Sequence, residues 1–437
     1  MKITEIVLEN FRGFNQLQLR FCGKNVVLVG TNGVGKSTIL NAAIIVLSRF
    51  VEVLSYGISK KISLSETDIK NGNQGLKIKC SLTYDGHVGE LELTKIKATE
   101  AGSKLVVKDT TKEIISHLHK KLAEDESFNA PIFVNYPVHR NVKDIPEKIK
   151  ARKGLDPYSA YHQCFSRDVD FGSFFEWFLQ QSQIESLRAG TDSISQEEDA
   201  AKPLQSAPAS LEPSWENQLN AVRKAIYNFL PGFSDLKVLR NGKARVIVTK
   251  GKQCLEVNQL SNGEKVTLAM IGDLARRLAL ANPSLENPLE GEGIVLIDEI
   301  ELHLHPAWQR EIINLLQSTF PNIQFILSTH SPQVLGELSD AEIFFVTQEE
   351  DGEEIKVRSV PSLFGKDSNM ILEQFMGVAE KNEEIKYMLQ KLFRYIMESK
   401  LVEAKRMQEQ LVEILGSDDP NLVKADMIIR RKESLGQ

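Results

Sequence analysis

Over the first fifty residues the hydrophobic pattern changes period twice. Residues 2 to 10 alternate polar and apolar, the two-residue period of a half-buried strand. Lys24 to Gly30, KNVVLVG, is instead a short apolar run that stops at glycine, which predicts a buried strand. STILNAAIIVLSRFVEVL follows with helix-forming residues and an apolar stripe. The expected order is strand, glycine loop, helix.

Residues 75 to 109 hold alternating segments separated by Asp85-Gly86 and by Ala101-Gly102-Ser103, the pattern of an antiparallel meander. KEIISHLHKKLAE then reads as helix and APIFVNYPV as another buried strand. A helix is expected from Phe171, giving way at residues 191 to 213 to a stretch rich in Ser, Ala, Pro and acid, the strongest linker signal in the chain. After it come the helix SWENQLNAVRKAIYNFL and a strand pair around Asn241-Gly242. Two buried strands, GEGIVLIDE and NIQFILSTH, are joined by a helix beginning near Pro306. From residue 380 the tail reads as helical, with Ile385, Met388, Leu389, Leu392, Tyr395 and Ile396 on one face and a break at Gly416.

A length of 437 residues predicts more than one small core. With 42% hydrophobic and 26% charged residues the composition is that of a soluble globular protein. No run is read as long enough to span a bilayer and the N-terminus carries no apolar secretory core, so a cytoplasmic protein without a membrane role is expected. Cys22, Cys80, Cys164 and Cys254 lack zinc or disulfide spacing. A net charge of -6 argues against a surface that attracts nucleic acid everywhere. One local stretch, residues 139 to 154, sets six Lys/Arg against two acids and reads as a solvated helix face or a nucleic-acid patch.

Gly30-Thr31-Asn32-Gly33-Val34-Gly35-Lys36-Ser37 satisfies the phosphate-loop pattern, directly after the expected strand and before the expected helix. Glycines at 30, 33 and 35 let the amides around Asn32 and Thr38 wrap phosphates, Lys36 supplies a point charge, and Ser37 offers a hydroxyl to Mg²⁺. GIVLIDE supplies the acids: Asp298 for the metal sphere and Glu299 to deprotonate the attacking water. His330 ends a third apolar strand, where it is expected to contact the γ-phosphate and sense its loss. A second anion site is written in NQLSNGEKV, where Ser261, Gly263 and Glu264 open a helix. One loop already cradles one triphosphate. Ser261 and Gly263 are therefore expected to face the γ-phosphate of a neighbour's ATP, each of two copies completing the other's site.

In this order the phosphate loop, LSNGE, LIDE and STH resemble the ABC-type ATPase superfamily, whose signature acts across a dimer interface. DEIELHLHPAWQ and LENFRGF resemble the SMC, RecF and OLD-like heads, with Ile300 where those have proline. The resemblance implies an α/β ABC-type ATPase head with an antiparallel β-subdomain, a helical insertion and a helical C-terminal tail. It implies that Arg12 touches the nucleotide, and it gives His303 and His305 a structural or interface role in the turn after the acids. FFEWF at 174 to 178 and LFGKDSNMILEQFMGV at 363 to 378 are similar to the PtuA-type ATPases of Septu antiphage defence, also found beside retron reverse transcriptases.

From that resemblance follow an ATP- and Mg²⁺-dependent ATPase, a homodimer of heads or a higher homo-oligomer, a PtuB-like HNH nuclease partner, and contact with a retron reverse transcriptase, its msDNA or another nucleic acid. No nuclease chemistry of the chain's own is expected, because the residues after His330 show neither the glutamate and DxD arrangement of a Toprim domain nor an HNH-like cluster. The alternative is a DNA-repair clamp of RecF type. A transporter motor is disfavoured because the signature lies far beyond Lys36, and an inactive scaffold because Lys36, Ser37, Asp298 and Glu299 have intact chemistry. The expected division is 1-190 and 214-379 for the two parts of the head, 191-213 for the linker and 380-437 for a partner-binding or oligomerisation region. The glutamine that links ATP to the helical lobe is open among Gln163, Gln180, Gln181 and Gln183.

Overall fold

The computed structural model describes the chain apart from residues 22, 100-101, 125-128, 141, 143-156, 167-168, 170, 189-213, 242, 339, 349-353, 361-362, 376-382 and 435-437. The expected linker, most of the basic stretch over 139-154 and the end of the 363-378 segment lie outside the described residues. The chain forms two compact units, Met1–Lys366 and Asp367–Gln437.

The first unit begins with the hairpin β1 (Lys2–Phe11) and β2 (Phe14–Arg20), then β3 (Asn25–Val29) and helix α1 (Lys36–Leu54). A meander follows, β4 (Gly75–Tyr84), β5 (His87–Thr99) and β6 (Gly102–Asp109), then α2 (Lys112–Glu124) and β7 (Ile132–Tyr136). Next come helices α3 (Gly172–Arg188) and α4 (Ser214–Phe229), strands β8 (Phe233–Asn241), β9 (Lys243–Lys250) and β10 (Gln253–Glu256), and helix α5 (Asn262–Ala281). The unit closes with β11 (Gly293–Ile297), α6 (Pro306–Thr319), β12 (Ile323–Thr329), α7 (Pro332–Gly336), β13 (Ala341–Gln348) and β14 (Ile355–Val360).

Three sheets result. The central one has the order β14-β13-β3-β12-β11-β7. All of its pairs are parallel except β13 with β14. Strands β3 and β11 read as apolar runs because both faces are covered, and every residue of β7, β11 and β12 is buried. The second sheet, β2-β1-β4-β5-β6, is antiparallel and alternates as one-sided burial requires. Its outer face carries cross-strand ion pairs, Lys77 to Glu9 at 2.7 Å and Lys108 to Glu92 at 3.0 Å. Its inner face shares one core with α1 and the central sheet, including Ile6, Leu8, Ile78, Leu47, Val51 and Leu296. The third sheet, β10-β9-β8, leads into α5.

The expectation for membrane-length runs needs one correction. The 19 residues of α1 reach the length and hydropathy of a membrane span, although 67% of the apolar window is buried within the fold. Each aliphatic side chain buried there contributes about 1.5–3 kcal/mol relative to exposure. The apolar length of α1 is thus accounted for by a core with covering sheets rather than by lipid.

The second unit contains α8 (Ser368–Phe375), α9 (Glu383–Met397), α10 (Leu401–Leu415) and α11 (Pro420–Ser434). Leu389, Leu392 and Ile396 meet Leu411, Leu422 and Ile429 in a core of their own. The expected break at Gly416 is present, with φ 85°, and Pro420 starts the next helix. A further break lies at Ser399, held at φ 56°.

Candidate nucleotide site

Strands β3, β12 and β11 lie side by side in parallel, with Val29 level with Thr329 and Leu327 level with Ile297. The residues just beyond their C-terminal ends, Gly30, His330 and Asp298, are thereby brought to one edge of the sheet. That edge is where open parallel sheets bind their ligands.

The phosphate loop is built by glycine for two physical reasons. Gly33 and Gly35 have φ of 84° and 107°, a region costly for any residue with a Cβ. Gly30 is a matter of space, since a Cβ there would lie 2.3 Å from the Val346 carbonyl on β13. Gly35 caps α1 without any side-chain hydrogen bond, so the first amides of the helix remain for a ligand. Asn32 and Ser37 are exposed at the loop and Thr38 is half-buried.

Lys36 is buried and turns back to donate to the carbonyls of Gly30 at 2.6 Å and Thr31 at 2.8 Å. Burial lowers its pKa, while Glu299, Glu301 and Asp298 work in the opposite direction. The ammonium and the three carboxylates therefore share one electrostatic environment. These residues fit a nucleotide triphosphate with Mg²⁺: an uncapped helix terminus, a lysine within the loop, an exposed Ser37 hydroxyl and the Asp298 carboxylate.

The acidic turn is held by its neighbours. Ser328 on β12 donates to the Asp298 carboxylate, and its hydroxyl accepts from the Glu299 amide at 2.8 Å. Glu299 adopts φ 48°, the left-handed conformation, and its carbonyl accepts from the Leu302 amide at 3.0 Å. Arg140, a residue not singled out by sequence, is only 2% exposed and donates to the carbonyls of Pro137, Asp298 and Glu299. Burial lowers its pKa to about 10, opposed by Glu301, Asp298 and Glu299, so it is charged at neutral pH. Its only signal was membership of a basic run, which does not separate a buried guanidinium from solvated ones. Arg140→Ala would orphan the buried Asp298 carbonyl, at about 1–3 kcal/mol, and leave the Glu299 carbonyl with the Leu302 amide alone. Thermal melts should show the loss of stability, and steady-state kinetics should show kcat falling more than KM rises.

The signature helix is tied to the same sheet by buried charge. Asp273 on α5 pairs with Arg276 at 2.7 Å and Arg277 at 2.8 Å, and accepts from the Tyr136 hydroxyl of β7 at 3.0 Å. Burial alone would raise the Asp273 pKa, but Arg277 and Arg276 hold it down at about 2. At the helix start, Ser261 caps α5, its hydroxyl accepting from the Glu264 amide at 3.3 Å. The Glu264 carboxylate accepts from the Ser261 amide and hydroxyl, and from Lys250 at 2.6 Å. Burial opposes its ionisation, yet the hydrogen bonds from Lys250 and Ser261 leave its pKa lowered. Gly263 is forced to be glycine within this chain, because a Cβ would lie 2.3 Å from the His303 carbonyl. No described hydrogen bond joins this cluster to Lys36, Asp298, Glu299 or His330. Ser261 and Asn262 are exposed at the helix terminus.

Among the other expected residues, Arg12 has φ 50° in the β1–β2 turn, pairs with Asp68 at 3.0 Å and lies 5.1 Å from the Phe11 ring centre. That turn adjoins the phosphate loop, since a Cβ on Gly35 would come within 3.0 Å of the Phe14 ring. His305 caps α6 through Nδ1, which accepts from the Ala307 amide at 3.3 Å. Gln163 lines a small cleft with Tyr136, Asp273 and Arg277, whereas Gln180, Gln181 and Gln183 lie on α3.

The AAA_21 family, described as "AAA domain, putative AbiEii toxin, Type IV TA system", matches residues 26–336. The chain belongs to this family of AAA domains. Over 487 aligned positions it is 33% identical to the Retron Ec83 probable ATPase of Escherichia coli, which covers 99% of this chain and 87% of that protein. A Septu protein PtuA of Bacillus mycoides (strain KBAB4) is 29% identical over 162 residues, 36% of this chain and 22% of that protein. Among solved structures, the SMC head bound to the C-winged helix domain of ScpA is 16% identical with a TM-score of 0.46, covering 82% of this chain and 98% of that chain. The chain is thus a PtuA-like probable ATPase, related over nearly its whole length to the Retron Ec83 probable ATPase and similar over a third of it to the Septu protein PtuA.

Proposed function

We propose that this ATPase hydrolyses ATP with Mg²⁺ at a site completed across a pair of heads, and that its nucleotide state gates a partner nuclease of the HNH kind. The observation that carries the reading is the convergence of Lys36, Asp298, Glu299 and His330 at one sheet edge, with Lys36 sensing the charge of both acids. The amides that open α1 and the Lys36 ammonium bind the β- and γ-phosphates, while Ser37 and Asp298 hold the metal. Mg²⁺, when bound, neutralises charge that develops on the phosphate oxygens. Glu299 takes the proton of the attacking water and His330 contacts the γ-phosphate. The partner's Ser261 and Gly263 close the site, with Arg12 reaching the nucleotide from the adjoining turn. The complex works in the cytoplasm.

The nuclease half of the proposal draws on the likeness to the retron and Septu ATPases. It is supported by the second unit, which exposes Tyr387, Met397, Val402 and Met427 outside its own core. The retron reverse transcriptase, its msDNA or another nucleic acid would supply the trigger. A pull-down of tagged Glu299→Gln protein from its native cell, read by mass spectrometry, should bring down an HNH nuclease in stoichiometric amount. The same chain ended at residue 379 should lose it. Replication and repair proteins on chromosomal DNA, with no nuclease, would contradict the reading and favour a RecF-like clamp.

A further inference from the structure

Glu301 has no part in the ATP chemistry assigned above, yet it is the carboxylate that contacts the histidine of the site. It lies in the turn after β11 with its side chain 4% exposed. One oxygen, Oε1, accepts from the His330 backbone amide at 2.6 Å and lies 2.8 Å from His330 Nδ1. The other, Oε2, is buried with no hydrogen-bonding partner. A carboxylate serving only to brace the turn would be expected to have both oxygens satisfied by the protein, because a buried acceptor without a partner is destabilising. Here a single oxygen accepts the hydrogen bond from the His330 amide and also makes the close contact with its ring, so both interactions go to His330.

We infer that Glu301 is the positioning residue for His330, fixing its ring so that Nε2 is presented to the γ-phosphate. The inference rests on the proposed ATP site. A carboxylate oxygen 2.8 Å from Nδ1 favours the tautomer that carries its proton on that nitrogen. Nε2 is then the ring nitrogen left for a ligand, on a side chain that is 44% exposed. The backbone bond matters as well. By holding the His330 amide, the same oxygen fixes the peptide from which the ring projects, at the end of β12. The Coulombic influence of Glu301 on Lys36 and on Arg140 places this carboxylate within the field of the same centre. It orients a group that touches the nucleotide, as the outer carboxylates of histidine ligands do elsewhere.

The test is a double-mutant cycle on the full chain. Glu301→Ala should lower kcat about ten- to a hundred-fold, the usual consequence of removing such an orienting partner. Affinity for ATP, measured by equilibrium binding with Mg²⁺, should change little. Combined with His330→Ala, it should cause no loss beyond that of His330→Ala alone, because it acts through that ring. Glu301→Gln, which keeps an acceptor oxygen at the same place and folds with little disturbance, should retain most of the turnover. Additive losses in the double variant, or Glu301→Gln as inactive as Glu301→Ala, would overturn the assignment. If the unaltered chain itself showed no ATP turnover, the proposed function would fall first and the inference with it, so the two failures are told apart.

Discussion

Glu299→Gln should bind ATP as the unaltered protein does and hydrolyse it about 10²–10⁴ times more slowly, the usual contribution of a positioned general base. The backbone supports that separation of effects. The Glu299 amide is held by Ser328, its carbonyl by Arg140 and Leu302, and its left-handed φ by the turn as a whole. None of these contacts uses the side-chain carboxylate, so glutamine can take the same place and only the proton acceptor is lost. With cleavage stalled, the nucleotide stays between the heads and the dimer should persist in size-exclusion chromatography with ATP and Mg²⁺. Equilibrium binding and single-turnover kinetics separate the two effects. Turnover within a few-fold of the unaltered protein would remove Glu299 from the role of base.

Much of the head was legible because its elements obey one period each. The runs before Gly30, Glu299 and His330 are apolar on both faces, and each became a fully or almost fully buried strand of the central sheet. The meander alternates, and it became the one-sided antiparallel sheet. What sequence did not show is pairing. Strands β13 and β14 were not anticipated, yet β13 supplies the Val346 carbonyl that makes Gly30 obligatory.

Arg140 and Glu301 were missed as site residues for a related reason. A buried guanidinium and a buried carboxylate look like surface charge in a linear sequence, and only the fold shows that their partners are backbone groups of the catalytic turns. The same limit applies at the signature. Ser261 and Gly263 read as groups for an anion, and within one chain Ser261 also caps α5 while the His303 carbonyl fills the space that a Cβ on Gly263 would need. Both features position the N-terminus of α5 without satisfying all of its amides.

Ser261→Arg should therefore abolish turnover while leaving the chain able to bind ATP through its own phosphate loop. Loss of the cap costs about 0.5–2 kcal/mol, so rates should be taken well below the melting temperature. The bulk and charge of arginine would reach the neighbour's nucleotide, whereas Lys36 and the α1 amides of the same chain are untouched. Lys36→Ala should be inactive for the opposite reason, since it removes the phosphate contact and spares the signature.

The two variants decide the composite site when they are mixed. In a mixed pair, one site combines both substitutions and the other has an intact Lys36 facing an intact Ser261. At equal amounts the mixture should regain about a quarter of the unaltered rate, since half of the pairs are mixed and each holds one complete site. Steady-state phosphate release from the mixture, beside each variant alone, is the direct measurement. Recovered turnover is the result expected of heads that complete each other's sites. A mixture as inactive as its components, with heads shown to exchange, would contradict the account at its centre.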